Sequence, residues 1–205
     1  MPRIARKDLQ TPFLHIMVQG INKKFIFSKK EYIENYLKIM NKYKQEFNIT
    51  IIAYCIMNNH AHMLVYVENI ELLGKFMHIV NLVYSQFYNK ENKRCGVLFR
   101  NKYQAEPIYG MNHLINCIKY IHMNPLKAKI VKNVEDYPYS SVFDYTNNTG
   151  ICKNKIMSNI FGDNYDYSKL TISSSNCYFI DIVPPSKSDL RDLIDSRFTK
   201  FSKNK

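Results

Sequence analysis

The sequence predicts an α+β protein: a ferredoxin-like split βαβ sandwich on an antiparallel sheet, with a short C-terminal extension. Three observations lead there. Strand-like and helix-like apolar patterns alternate in the order β-α-β-β-α-β-α over residues 1–145. The two middle strands flank the turn signal Asn58-Asn59, which makes them a hairpin. Composition then shifts near Tyr145, and the chain beyond it is rich in Ser, Asn and Asp.

Each element has its own warrant. Residues 13–18 are a short apolar run closing at Gly20, a strand. Ser28 is placed as an N-cap, with Glu31 completing a capping box. Tyr32, Ile33, Tyr36, Leu37, Ile39, Met40 and Tyr43 then recur at helical spacing. Residues 50–57 are dense in β-branched and aromatic side chains, a second strand, and residues 61–67 are the third. Residues 70–88 carry a helical stripe through Leu73, Phe76, Val80, Val83 and Phe87. A polar loop, 89–96, precedes a fourth strand at 102–108. Residues 112–123 form a helix stopped by Pro125, and residues 126–131 add a further turn or two.

Residues 146–150 read as a linker, which divides the chain into a domain at 1–145 and an extension at 146–205. The extension holds one apolar strand, 177–183, and a short amphipathic helix, 188–198.

At 205 residues the chain is long enough for a real core. No apolar run approaches the ~18 residues of a membrane span, and no apolar stretch follows the basic start, so neither a membrane segment nor a signal peptide is expected. The five cysteines are widely spaced without a C-x-x-C, which speaks for reduced thiols in a cytosol. Charge points to the partner. Lys+Arg 29 against Asp+Glu 17 gives +12, a surplus suited to a polyanion, most often nucleic acid. Sixteen Tyr and twelve Phe supply rings that can stack on unpaired bases.

Two local motifs carry chemistry. His60 and His62 lie at i and i+2 on a strand, so both imidazoles face one side and can reach one metal ion. The bland alternative is a pair of polar residues on a solvated face. His15, His78, His113 and His122 are singles, read as structural. Tyr120 and Asn124 are four apart and share a helix face, where a hydroxyl and a carboxamide can meet a metal-bound phosphate. The alternative is that Tyr120 packs and Asn124 merely ends a helix before Pro125.

Together these motifs resemble the HUH single-tyrosine transposases (the IS200-like transposase domain), in the branch called REP-associated tyrosine transposases. The likeness runs in order through Met1-Pro2-Arg3, the strand around His15, Gly20-Ile21-Asn22-Lys23 and residues 53–65. It continues through residues 98–103, residues 120–128 and Asp136-Tyr137-Pro138-Tyr139-Ser140-Ser141. Asn58 stands where the family usually has Pro, and Gln19 where Arg is common. Lys23 and Lys127 replace Arg, and Lys129 a common Gly; a Lys is a point charge rather than a bidentate fork. No catalytic group is lost.

The resemblance implies cleavage and rejoining of single-stranded DNA near hairpins. Tyr120 is then the nucleophile, forming a 5′-phosphotyrosine and freeing a 3′-OH. His60, His62 and Asn124 then hold a divalent ion, Mg2+ or Mn2+. This neutral N/N/O set suits Mn2+ by ligand softness, while availability favours Mg2+. Arg3, Arg6, Lys7, Lys23, Lys24, Arg94, Arg100 and Lys102 are the candidate contacts to single-stranded or hairpin DNA. No membrane partner is implied, the place is the cytoplasm at the nucleoid, and both a homodimer and a monomer fit. The competing reading is a ferredoxin-like module that grips structured DNA or RNA without cutting it.

Overall fold

The structure, a computed structural model, describes residues 11–147 and 150–152. Four strands, β1 (Phe13–Gln19), β2 (Thr50–Ile56), β3 (His60–Tyr66) and β4 (Gln104–Pro107), make one sheet in the order β2-β3-β1-β4. Every neighbouring pair is antiparallel. With helices α1 (Lys30–Glu46) after β1 and α2 (Ile70–Glu91) after β3, this is the expected ferredoxin-like split βαβ sandwich.

The period-2 pleat sorts the sheet into two faces. Leu14, Ile16 and Val18 of β1 align with Val65, Met63 and Ala61 of β3, all buried. This side forms the core with the α1–α2 pair, whose rings interlock around Tyr36, with Phe27 and Tyr84 centred 4.9 and 5.0 Å from it. His15, Met17 and Gln19 of β1 align with Leu64, His62 and His60 on the other face. Helix α3 (Gly110–His122) packs over β2 and β3 on that side. Its buried stripe, Leu114, Cys117, Ile118 and Ile121, follows the i, i+3, i+4, i+7 rule.

Several boundaries differ from expectation. β3 begins at His60, one residue early, because the Met57 N–H donates to the His60 carbonyl across the Asn58-Asn59 turn (2.8 Å). Both histidines therefore stand on the strand. Ser28 does not cap α1: Lys29 holds that position, and its carbonyl takes the Tyr32 and Ile33 N–H groups. α2 runs on to Glu91. β4 is shorter than 102–108, since the Lys102 carbonyl accepts from Asn81 of α2. Beyond α3, the turn or two of helix is α4 (Asn124–Lys127), after which Lys129 reverses the chain at φ +56°.

The return path covers an edge. The Ile56 N–H donates to the Tyr139 carbonyl at 2.9 Å, and the Tyr137 hydroxyl donates to the Ile56 carbonyl at 2.6 Å. The outer side of β2 is thus paired rather than left as an open template. Helix α5 (Ser141–Asn147) follows, extending past Tyr145. Buried Asp144 then accepts from the Tyr54 hydroxyl and from the N–H groups of Ile151 and Cys152, each at 2.9 Å. The packed body therefore reaches Cys152. Arg3, Arg6 and Lys7, and the strand and helix expected at 177–183 and 188–198, lie outside the described residues.

Candidate active site

The sheet face under α3 gathers His15, His60, His62, Glu106 and Tyr120. Sheet register does most of this work. His15 on β1 lies opposite Glu106 on β4, and His62 on β3 lies opposite Met17, two residues along from His15. Diagonal neighbours of that kind are within reach of long side chains. His15 Nε2 is 3.0 Å from His62 Nδ1, with ring planes 18° apart, and His15 Nδ1 is 3.3 Å from Glu106 Oε2. The His60 and His62 rings are centred 4.9 Å apart at 87°.

Helix α3 delivers the tyrosine. The Tyr120 ring meets His62 edge-on at 5.4 Å between centroids and His15 at 5.8 Å. Lys127 Nζ lies 5.2 Å from the Tyr120 ring centroid, a cation–π distance. Asn124 sits at the junction of α3 and α4. Its Nδ2 donates to the Tyr120 carbonyl at 2.8 Å and reaches the Ile121 carbonyl at 3.4 Å. Pro125 has no N–H for the Ile121 carbonyl, so the Asn124 amide supplies the missing donor. Asn124, the first residue of α4, thus closes the end of α3 with its side chain, and its Oδ1 stays outside these bonds.

Electrostatics set the resting protonation. Burial, with His15 and His60 as neighbours, pushes His62 down to about 2, so it is neutral. Burial lowers His60 in the same direction. Burial, the Glu106 charge and Cys117 hold the Tyr120 phenol above 10, so it rests protonated. The hydrogen bond to His15 keeps the Glu106 carboxyl below its ordinary range, against the opposing effect of burial.

No three His, Cys, Asp or Glu side chains cluster for a metal ion among the described residues. The donor chemistry nevertheless fits one. His60 and His62 are neutral imidazoles on one strand face, and a carboxamide oxygen such as that of Asn124 is a donor type that would complement them. His60 Nδ1 is 2.6 Å from Asn59 Oδ1, an acceptor, so the ring carries its proton there and keeps Nε2 bare.

Of the basic candidates, Lys24 and Arg94 converge on one ring: each is 5.9 Å from the Tyr88 centroid. Lys23 is tied to the histidine turn, its carbonyl accepting from Asn59 Nδ2. Arg100 lies next to Gln19, whose carbonyl takes its N–H, and Gln19 pairs with His60. Lys102 is exposed on the approach to β4. The sequence reading missed His15 and Glu106 as site residues. Their only signal is the register that brings β4 beside β1. Of the other single histidines, His122 is buried 2.7 Å from Ser141 Oγ, His113 Nδ1 accepts from the Tyr109 N–H at the start of α3, and His78 is exposed.

Comparison with known proteins bears on this arrangement. A family model described as "Transposase IS200 like" matches residues 10–124, more than half of the chain. A Haemophilus influenzae protein named as a REP-associated tyrosine transposase is 27% identical over 144 residues, 63% of this chain and 77% of that one. A solved structure of a REP-associated tyrosine transposase bound to a REP hairpin superposes with TM-score 0.60 at 15% identity. It covers 72% of this chain and 86% of its own, and establishes the likeness of fold.

Proposed function

The chain belongs to the IS200-like transposase family, and from that premise we propose that it cuts and rejoins single-stranded DNA beside a hairpin through a phosphotyrosine. The observation that carries the reading is the 5.4 Å approach of the Tyr120 and His62 rings, from residues on separate elements. The candidate nucleophile and the candidate phosphate-activating pair thereby stand together on one face of the sheet.

In the first step Tyr120 Oη attacks the scissile phosphorus. The Oη–P bond forms, the P–O3′ bond breaks, and the leaving oxygen takes a proton to become a 3′-OH. The phenol proton passes to solvent. Joining reverses the roles: a 3′-OH attacks the phosphotyrosine and Tyr120 recovers its proton. One phosphoester is exchanged for another at each step, so no nucleotide cofactor is consumed.

The residues divide the work. His60, His62 and Asn124 would hold a divalent ion, Mg2+ or Mn2+. Such an ion supplies Lewis-acid polarisation of a phosphate oxygen and offsets developing charge. Lys127 Nζ lies 5.2 Å from the Tyr120 ring centroid and supplies a positive charge beside the proposed nucleophile. The α3 stripe packed on β2 and β3 fixes where the nucleophile stands. Lys23, Lys24, Arg94, Arg100 and Lys102 are proposed as phosphate contacts, and Arg3, Arg6 and Lys7 as an arm on the DNA.

The test is a covalent adduct. Incubation with a single-stranded oligonucleotide carrying a hairpin, plus Mn2+, should give a denaturation-resistant protein–DNA band. Tyr120→Phe should bind the DNA and give none. An equal band from the variant would move the nucleophile elsewhere.

A further inference from the structure

We propose that His15 and Glu106 form a cross-strand relay that holds His62 in the tautomer with its proton on Nδ1 and a bare lone pair on Nε2. The proposal rests on the reading that His60 and His62 hold a divalent ion, and it makes His15 and Glu106 positioning residues for that site.

The donor and acceptor count leads there. The Glu106 carboxylate only accepts, so His15 places its Nδ1 proton on it (3.3 Å). In the proposed relay that is the one proton on His15, and its Nε2 offers a lone pair. The neighbour 3.0 Å away, His62 Nδ1, then carries the proton of that bond. His62 has one proton to give when neutral, so its Nε2 is left bare. The ring centroids are 5.1 Å apart, a separation compatible with an N–H···N bond between imidazoles.

Three strands enforce the arrangement. Glu106 on β4, His15 on β1 and His62 on β3 project from one face in adjacent rows. His15 and His62 are 7% and 4% exposed, so solvent has little access to their mutual bond. The partner histidine is served separately. Asn59 Oδ1 takes the His60 Nδ1 proton, and Asn59 Nδ2 is turned away by its bond to the Lys23 carbonyl. Both imidazoles thus offer the same nitrogen. A histidine ligand is commonly oriented by the hydrogen bond of its other ring nitrogen, and losing that partner costs about 10–100-fold in metal affinity or activity.

Two measurements test the relay. Long-range 1H–15N spectra of the metal-free protein should show His62 and His60 protonated at Nδ1. His62 protonated at Nε2 would overturn the proposal. Mn2+ binding, followed by the free-ion EPR signal, should weaken by about 10–100-fold in His15→Phe. His15→Gln, whose amide oxygen can accept from His62 Nδ1–H, should recover most of that loss. Wild-type affinity in a folded His15→Phe would overturn it. If His15→Phe fails to fold, Glu106→Ala, at a side chain 63% exposed, replaces it and should also weaken Mn2+ binding. Unchanged affinity there would overturn the relay. 113Cd2+ should show 15N coupling to His60 and His62 Nε2 and none to His15; coupling to His15 would make it a ligand and overturn its positioning role. Equal Mn2+ binding by wild type and His60→Ala would instead sink the metal reading itself, and the relay's role with it.

Discussion

The Asn124 carboxamide donates from Nδ2 to the Tyr120 carbonyl oxygen at 2.8 Å. The side chain proposed to assist the reaction is oriented by the backbone of the nucleophile. Its nitrogen completes the end of α3, while its oxygen, outside those bonds, is the atom proposed to meet an ion.

That double duty separates two substitutions. Asn124→Ala should raise the Mn2+ concentration needed for half-maximal cleavage by about 10–100-fold. Asn124→Asp should not restore it, although a carboxylate is the stronger ligand. A carboxylate cannot donate to the Tyr120 and Ile121 carbonyls and would be repelled by them. Titrating Mn2+ against cleavage rate decides this: superimposable half-saturation points for wild type and Asn124→Ala would remove Asn124 from the ligand set.

DNA binding should show the Lys24–Tyr88–Arg94 cluster as a phosphate contact. Lys24→Ala and Arg94→Ala should each weaken binding to a hairpin with a single-stranded flank. Each should flatten the plot of log affinity against log salt by about one unit of slope. Lys38→Ala, exposed on α1, serves as the control and should leave the slope alone. Equal slopes in all three would mean that the cluster faces no phosphate.

Gly20 should not tolerate a side chain. A Cβ there would overlap the Lys24 carbonyl oxygen and press on the Ile26 side chain at 3.0 Å. The Gly20 N–H also bonds to the Asn59 carbonyl at 2.9 Å, which ties this turn to the histidine pair. Gly20→Ala should cost about 1–3 kcal/mol, as overpacking generally does. Urea unfolding with an unchanged slope and a lower midpoint is the expected result; an unshifted midpoint would show that the turn relaxes freely.

Acid should destabilise the fold through its buried neutral imidazoles. Burial takes His122 from the ordinary 6.5 down to about 3. The unfolded chain therefore binds a proton below pH 6.5 that the native chain refuses. Stability from this source is complete above that pH and declines as pH falls towards 3. At pH 5.5 the loss is about 1.4 kcal/mol for one such group. His62, depressed to about 2, acts in the same direction. Denaturant melts at pH 7.5 and 5.5 should show the loss, and His122→Gln should reduce it. An identical pH dependence in the variant would place the effect elsewhere.

The order of strands and helices was legible in the residues because each element writes its own pattern: short apolar or β-branched runs in β1, β2 and β3, a three-four repeat in α1, α2 and α3. The histidine pair was legible for the same reason, since i and i+2 on a strand share a face whatever the strand packs against. Tyr120 and Asn124 were legible as one helical turn, although Pro125 splits that turn between α3 and α4. Capping at Ser28 was misplaced because the helix start is decided by contacts of the preceding turn: Phe27 N–H bonds to the Asn58 carbonyl, thirty-one residues away. Tertiary structure alone brought His15 to His62 across 47 residues and Glu106 to His15 across 91. It also laid residues 137–141 along β2 and gathered Lys24 and Arg94 on Tyr88. These are matters of register between distant strands and loops. Register is set by which faces bury apolar surface against each other, and no local run of residues records it.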